Sequence, residues 1–536
     1  MSQLSLFTRP TPTGRTNLVI EAGAGTGKTT AIVREVVMLL LENPTLEPER
    51  VVLITFTEKA AGEIADRIRD AMTELHLSFD SGRPSWPADS EDPIITIPPE
   101  KIDAYRAACE GHLQRIDRLR SQTIHAFCQS ILRMFPIEAN LDPDFSIIQG
   151  YERTRLYDQI YDEWLDADTK SARAHRGEWE ILYHHYHHLD FVRRAIFTLL
   201  PKRDVVADGR YSLGEIGDGD TFIREMILAI RVATPGEVAK FNEDGLAFLT
   251  HVREAALPTD ASVEAWLAFF EPVSERLEKI TLPSGGGKTP LKEAVKLLRG
   301  DRPGKRITDR LRQQTISVAL RAVAARFFAA LDAEKRRRAV VDFDDLLLRT
   351  QEVLGNRHVL RTLRARYEHI FVDEFQDTDR VQAEIIDKLA RDDDERFVSG
   401  KMTIVGDPKQ SIYSFRRADP ECYAATVEMF VVGGARTHAL RKQYRSDPPL
   451  VDGLNAIFGQ LFAATTTCRQ VYRPAYQELD AARTDLLRDL DARFTFLRAS
   501  TSENGSREAG EARTIASWIL QRAQGSGLGA QEPDFR

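Results

Sequence analysis

N-L-V-I-E-A-G-A-G-T-G-K-T, residues 17–29, is the stretch that decides the fold. Asn17–Glu21 is a short apolar run that predicts a buried strand, and a glycine-rich turn follows it. Beyond the turn, Ile32, Val33, Val36, Val37 and Leu40 recur at the spacing of one helix face. Strand, glycine turn and helix in that order form the setting in which A-G-A-G-T-G-K-T holds phosphate. A mere glycine-rich turn is the plainer alternative, and the flanking strand and helix argue against it. Gly23, Gly25 and Gly27 let the backbone turn its N–H groups inward, and the helix N-terminus adds partial positive charge. The expected nucleotide-holding set is Ala22, Gly23, Ala24, Gly25, Thr26, Gly27, Lys28, Thr29 and Thr30, with ATP and Mg²⁺ as the ligands. Lys28 is placed for the β and γ phosphates and the Thr29 hydroxyl for the metal.

Working outward, Val51–Phe56 predicts a second buried strand, and Ala61, Ile64, Ala65 and Ile68 predict the helix after it. Such alternation implies a parallel sheet. Residues 78–99 are rich in Pro, Ser, Asp and Gly and read as a surface loop. From about 150 to 340 the pattern is helix after helix; strand patterns then return at Ile370–Asp373 and Met402–Val405, and again at R-F-T-F-L, 493–497. A helical domain is therefore expected inside an α/β domain. The strand at 370 ends in V-D-E: Asp373 is placed for the Mg²⁺ shell, and Glu374 to orient and deprotonate an attacking water. G-G-G-K-T at 285–289 follows no strand and reads as a linker.

The chain has 73 Lys and Arg against 81 Asp and Glu, net −8, so a wholesale basic coat is excluded while a local basic groove is not. Cys109, Cys128, Cys422 and Cys468 stand singly, which excludes a zinc motif or a disulfide framework. Val36–Leu41 is the longest apolar run and is far too short to cross a bilayer. With no signal peptide evident, a soluble cytoplasmic location without membrane contact is the expectation. His184 and His188 in L-Y-H-H-Y-H-H-L are one helical turn apart and read as a polar helix face rather than a metal site. E-K-R-R-R at 334–338 reads either as a phosphate-contacting patch or as a solvated face.

Further blocks accompany the phosphate loop: I-T-F-T-E-K-A-A-G-E-I-A-D-R-I-R (54–69), S-Q-T-I-H-A-F-C (121–128), V-D-F-D-D-L-L (341–347), V-D-E-F-Q-D-T (372–378), G-D-P-K-Q-S-I-Y-S-F-R-R-A (406–418) and Q-Y-R-S (443–446). In this order they resemble the superfamily-one UvrD/Rep helicases, and most nearly the RecB/AddA branch that processes DNA ends. The resemblance implies an α/β fold: a RecA-like P-loop motor domain with an inserted all-α domain and the start of a second RecA-like domain. The expected spans are 1–148 and 341–432 for the first RecA-like domain, 149–340 for the inserted helices and 433–536 for the incomplete second domain.

It further implies that Gln410 senses the γ-phosphate, Tyr444 stacks on adenine and Arg445 reaches the γ-phosphate, joining Lys28 and Glu374 as the catalytic set. Phe56, Thr57, His125, Phe127, Tyr413, Phe415 and Arg416 would line a single-stranded DNA path. Stacking on aromatic rings suits such a path because every base has a π-face; taken singly, Phe56 and Phe415 are equally open to a core reading, and the motif order favours the path. The implied function is an ATP-dependent DNA helicase or translocase, 3′ to 5′, in repair or recombination. It would act on single-stranded DNA and duplex ends, with a second protein chain as its partner in a RecBCD- or AddAB-like complex.

Three features depart from the family, the last being the largest. Arg417 stands where glycine is usual, and the glutamine block expected before the phosphate loop is not clear, Gln3 being a poor match. The chain stops at Arg536, before motifs V and VI and the nuclease domain often found in this branch. A fragment of a longer protein is therefore the expectation, one that binds ATP, hydrolyses it slowly and does not unwind duplex by itself. The rival readings are a non-motor phosphate-loop ATPase switch and a truncated DNA-binding protein with a vestigial ATP site.

Overall fold

The computed structural model describes residues 15–81, 84–87, 94–170, 176–208, 219–259, 263–283, 289–300, 306–413, 417–462, 476–482 and 514–517. The chain divides into two compact units, one of residues 1–127 with 357–536 and the other of residues 128–356.

The first unit is built on a six-stranded sheet. Its strands are β1 (Leu18–Ala22), β2 (Val51–Thr55), β3 (Arg120–Thr123), β4 (His369–Val372), β5 (Met402–Gly406) and β6 (Arg436–Leu440). They lie in the order β6-β1-β5-β4-β2-β3, and every pair is parallel. All five residues of β2 are buried, as a strand covered on both faces requires. Helices α1 (Lys28–Glu42) and α2 (Glu58–Ser78) follow β1 and β2. Ile32, Val36 and Leu40 of α1 and Ile64, Ile68 and Met72 of α2 enter one core with Ile20, Leu53 and Val405 of the sheet.

Two stretches differ from their expected roles. Residues 78–99 contain a short antiparallel pair, Ser85–Trp86 with Ile95–Thr96, and Phe79, Ile95 and Ile97 are core residues. The polar composition of the segment hides the alternating Ile95 and Ile97 that pack inward. Residues 436–440, expected to fall within a second α/β unit, pair instead with β1, Leu18 opposite Arg436 and Ala22 opposite Leu440. R-T-H-A-L is too polar to announce a buried strand, and it is the edge of the sheet that tolerates it. The R-F-T-F-L stretch at 493–497 and all but Thr289 of the G-G-G-K-T stretch lie outside the described residues; Thr289 accepts from Lys292 N at 3.3 Å and caps the helix Pro290–Arg299.

The described residues of the second unit are chiefly helical and enclose two apolar clusters. The helix Ile307–Arg337 serves both, with Ile307 and Leu311 in one and Val323, Phe327 and Leu331 in the other. Its C-terminal end carries E-K-R-R-R. Lys335 is buried, with Nζ 2.7 and 2.6 Å from the two Asp345 oxygens. Arg203 joins Asp342 at 3.0 Å and Asp345 at 2.7 Å, and the Tyr157 hydroxyl donates to Asp342. The two aspartates also form a capping box on the helix Phe343–Val353. Arg336 pairs with Asp332, and Arg337 and Arg338 pair with Glu334. This run is therefore tied largely to neighbouring acids. His184 ends up near the close of the helix Arg176–Tyr186, and the chain reverses at His187 with φ +61°, so His184 and His188 do not share one helix.

Candidate nucleotide site and its comparisons

The C-terminal ends of β1, β4, β5 and β2 bring the candidate residues to one edge of the sheet. Open parallel sheets bind ligands at this edge. Gly25 and Gly27 have φ of +75° and +85°, a region that residues with a Cβ rarely adopt. Thr26 is buried, and its hydroxyl donates to Gly23 O at 2.8 Å, closing the loop on itself. Ala31 N donates to Gly27 O at 2.9 Å and starts α1, so the amides that precede it have no place in the helical ladder and suit an anion. Ala22 is buried at the strand end, Ala24 is exposed, and Thr29 and Thr30 occupy the first turn of α1.

β4 delivers the acids. Asp373 N donates to Ile54 O at 2.9 Å, anchoring the strand end to β2, and Glu374 N donates to Asp373 Oδ1 at 2.9 Å. Burial first, and the charge of Glu374 second, push the Asp373 carboxyl up to about 6. Glu374 sits in the left-handed region at φ +52°, an uncommon conformation that aims its side chain back across the sheet edge. Its Oε2 accepts from Lys28 Nζ at 2.7 Å and from Gln376 Nε2 at 2.6 Å. Asp377 lies nearby; burial and Glu374 push its carboxyl up to about 6, and its Oδ1 is buried with no hydrogen-bond partner among the described residues.

At the end of β5, Asp407 is buried and is held by Lys409 Nζ at 2.9 Å and Gln410 Nε2 at 2.7 Å. The Gln410 amide is thus turned toward Asp407. Q-Y-R-S follows β6 and docks on the phosphate loop: Tyr444 N donates to Gly25 O at 2.8 Å. Gln443 Oε1 accepts from Arg445 N at 2.9 Å and from Ser446 N at 2.7 Å, folding the segment into a tight turn. A Cβ on Gly25 would fall 2.8 Å from Arg445 Cβ, and one on Gly27 would fall 3.8 Å from the Tyr444 ring. Leu479 and Gln477 complete this side, with Gln477 Nε2 2.5 Å from Glu21 Oε2.

Phosphate, nucleoside and metal suit these groups. Mg²⁺ keeps several waters and takes few protein oxygens when phosphates supply the rest. Asp373 and Thr29 are two such oxygens, and a partly buried carboxyl pushed upward by desolvation, as at Asp373, is the kind of group a cation stabilises in its ionised form. Among the described residues no cluster of three His, Cys, Asp or Glu forms a self-contained metal cage.

The aromatic candidates divide. Phe56 and Tyr413 stack at 5.0 Å with rings 29° apart. Thr57 uses its hydroxyl to cap α2, accepting from Ala60 N at 3.1 Å. His125 is partly buried, and desolvation lowers its pKa. Phe127 is the exception: it is 0% exposed and packs against Tyr367 at 5.2 Å, so it is a core residue, not a surface for bases. Phe415 and Arg416 lie outside the described residues. Arg417 has φ +71°, which explains why glycine is usual there. Sequence reading overlooked Gln376, Asp407 and Gln443; each is a polar residue inside a block already singled out, and the structure buries all three.

A parallel sheet carrying a phosphate loop, an acidic strand end and a docked arginine turn defines a P-loop nucleotide-hydrolase domain. Residues 8–430 match the family described as the UvrD/REP helicase N-terminal domain. The chain belongs to that family. It is similar to proteins named as subunits of an ATP-dependent helicase/nuclease: 23% identical to that of Syntrophomonas wolfei, over 94% of this chain and 41% of the relative. The corresponding protein of Alkaliphilus metalliredigens is 25% identical, over 82% of this chain and 38% of the relative. That of Bacillus pumilus is 25% identical, over 84% and 39%. The chain thus spans about two-fifths of the length of these relatives. Among the described residues no helix is long and apolar enough to cross a membrane.

Proposed function

We propose that this chain is the ATP-binding motor portion of a DNA helicase or translocase that moves 3′ to 5′ on single-stranded DNA during repair or recombination. The observation that carries the reading is the docking of Q-Y-R-S on the phosphate loop, Tyr444 N to Gly25 O at 2.8 Å. An arginine-bearing segment held against a phosphate loop suits an ATPase whose nucleotide is gripped from two sides.

In this reading the loop amides and Lys28 bind the phosphates, Tyr444 stacks on the base and Arg445 reaches the terminal phosphate. Glu374 orients water and takes its proton as the β–γ bridge breaks, giving ADP and phosphate. Asp373 and Thr29 would hold Mg²⁺, which supplies charge neutralisation on the β and γ phosphates when bound. Gln410 senses the terminal phosphate. Phe56, Thr57, His125 and Tyr413, with Phe415 and Arg416, grip bases by stacking and charge.

The helical residues of 149–340 are read as an inserted domain and the residues after 433 as leading into a second motor domain. The relatives are named as subunits of an ATP-dependent helicase/nuclease, which supports a partner chain; action at duplex ends is part of the same reading.

The deciding experiment measures ATP hydrolysis with and without single-stranded DNA. The motor reading expects stimulation by single strands, lost in Lys28→Ala and Glu374→Gln while DNA affinity persists. Hydrolysis indifferent to DNA would favour a non-motor ATPase switch, and intact DNA binding with no ATP dependence would favour a purely DNA-binding role.

A further inference from the structure

Gln376 is 2% exposed, and both ends of its amide are committed. Its Nε2 donates to Glu374 Oε2 at 2.6 Å, and its Oε1 accepts from Asp407 N at 2.9 Å. Its own carbonyl accepts from Ser411 Oγ at 3.1 Å. Asp407 in turn holds Gln410 twice: Oδ2 accepts from Gln410 Nε2 at 2.7 Å, and the carbonyl accepts from Gln410 N at 2.9 Å. One side chain therefore bridges the end of β4 to the segment that leaves β5.

The fold makes room for this bridge. A Cβ on Gly406 would fall 2.8 Å from Gln376 Oε1, so a side chain there would push the amide off Asp407 N. Gly406 has no positive φ, so its need for glycine is one of space. A buried amide fully satisfied between two loops transmits the position of one to the other, because leaving either end unpaired is costly. Were phosphate to draw Lys28 away from Glu374, Gln376 would be the remaining side-chain donor on Glu374 Oε2 among the described residues, and a shift of that carboxylate would be felt at Asp407. The segment beyond Asp407 runs through Gln410 and Ser411 to Tyr413, whose ring stacks on Phe56.

We infer that Gln376 is a positioning residue that couples the nucleotide site to the single-stranded DNA surface, acting through Glu374 on one side and the Asp407–Gln410 turn on the other. The inference rests on the proposed ATP and DNA sites. It predicts that coupling, rather than binding at either site, is what Gln376 supplies.

The test is a thermodynamic one that needs no turnover. Affinity of the 536-residue chain for a fluorescent single-stranded oligonucleotide is measured with and without a non-hydrolysable ATP analogue and Mg²⁺. Wild type is expected to show a ratio of roughly 5-fold or more, the ordinary range of allosteric coupling. Gln376→Met, which keeps the volume and loses both hydrogen bonds, is expected to bring the ratio to about 1 with the affinity for each ligand alone unchanged. Gly406→Ala, which displaces the same amide from the opposite side, is expected to do likewise, so loss of folding in one variant leaves the other informative. A ratio retained in either folded variant overturns the inference and leaves the functional reading standing. A wild-type chain that binds both ligands without coupling, or fails to bind one, overturns both.

Discussion

Lys28 Nζ and Glu374 Oε2 lie 2.7 Å apart, so the cation meant for phosphate and the carboxylate meant for water neutralise one another across the sheet edge. Removing either has opposite effects on nucleotide binding. Glu374→Gln weakens the hold on Lys28 and is expected to tighten ATP by about 1 kcal/mol, since this pair is partly open to solvent on the Glu374 side. Lys28→Met is expected to weaken it by about 1.5–3 kcal/mol. Titration of a fluorescent ATP analogue checks both, and turnover should fall roughly 10²–10⁴-fold in Glu374→Gln.

Asp373 makes the site pH-sensitive in a definite direction. Its carboxyl is pushed up to about 6, so the folded state favours the protonated form. The stability tied to that proton is complete below the unfolded value near 4 and is lost as pH rises through about 6. Asp373→Asn keeps an acceptor for Glu374 N and removes the penalty. It should stabilise the metal-free chain by about 3 kcal/mol at pH 8 and by little at pH 4, while abolishing Mg²⁺-dependent nucleotide binding. Urea unfolding at the two pH values reads this directly.

Gly25→Ala meets two obstacles at once, a φ of +75° and Arg445 Cβ at 2.8 Å. The Q-Y-R-S turn should be displaced, with loss of its bond to Gly25 O. ATP affinity is expected to fall by about 1–3 kcal/mol with single-stranded DNA affinity unchanged, as measured by separate titrations.

Phe56 and Phe127 should part company under mutation. Phe56→Ala removes one member of the stacked pair and is expected to cost about 1–3 kcal/mol of single-strand affinity irrespective of sequence. Phe127→Ala leaves a core cavity and is expected to cost about 3–5 kcal/mol of stability, read as a lowered melting temperature.

In the helical unit, Lys335→Met removes one of the two cations that face Asp342 and Asp345 among the described residues, leaving Arg203 to balance both carboxylates. Breaking a buried charge network on one side costs about 3–5 kcal/mol. Denaturant unfolding of Lys335→Met should show that loss, and Lys335→Arg should recover part of it.

Much of the sheet was legible because β1, β2, β4 and β5 are short, apolar and flanked by glycine or acid. The phosphate loop was legible for the same reason: its glycines and lysine sit between a strand and a helix. β6 was not, since an edge strand such as Arg436–Leu440 needs little apolar character. Nor were Gln376 and Gln443, whose importance lies in what they touch across the sheet edge rather than in their neighbours along the chain. The basic run at 334–338 misled in another way: Lys335 is drawn inward by Asp342 and Asp345, which sequence separates from it by a turn.

The position of β1 carries a consequence for how the chain is made. Leu18 is synthesised long before its two sheet neighbours, Thr403 and Arg436. Until they emerge, this central apolar strand has neither edge paired. Non-local pairings of this kind form slowly and leave sticky edges open to aggregation. Residues 18–22 therefore wait through most of the chain's synthesis with both edges open, and the phosphate loop they lead into reaches its final setting only after Tyr444 has emerged.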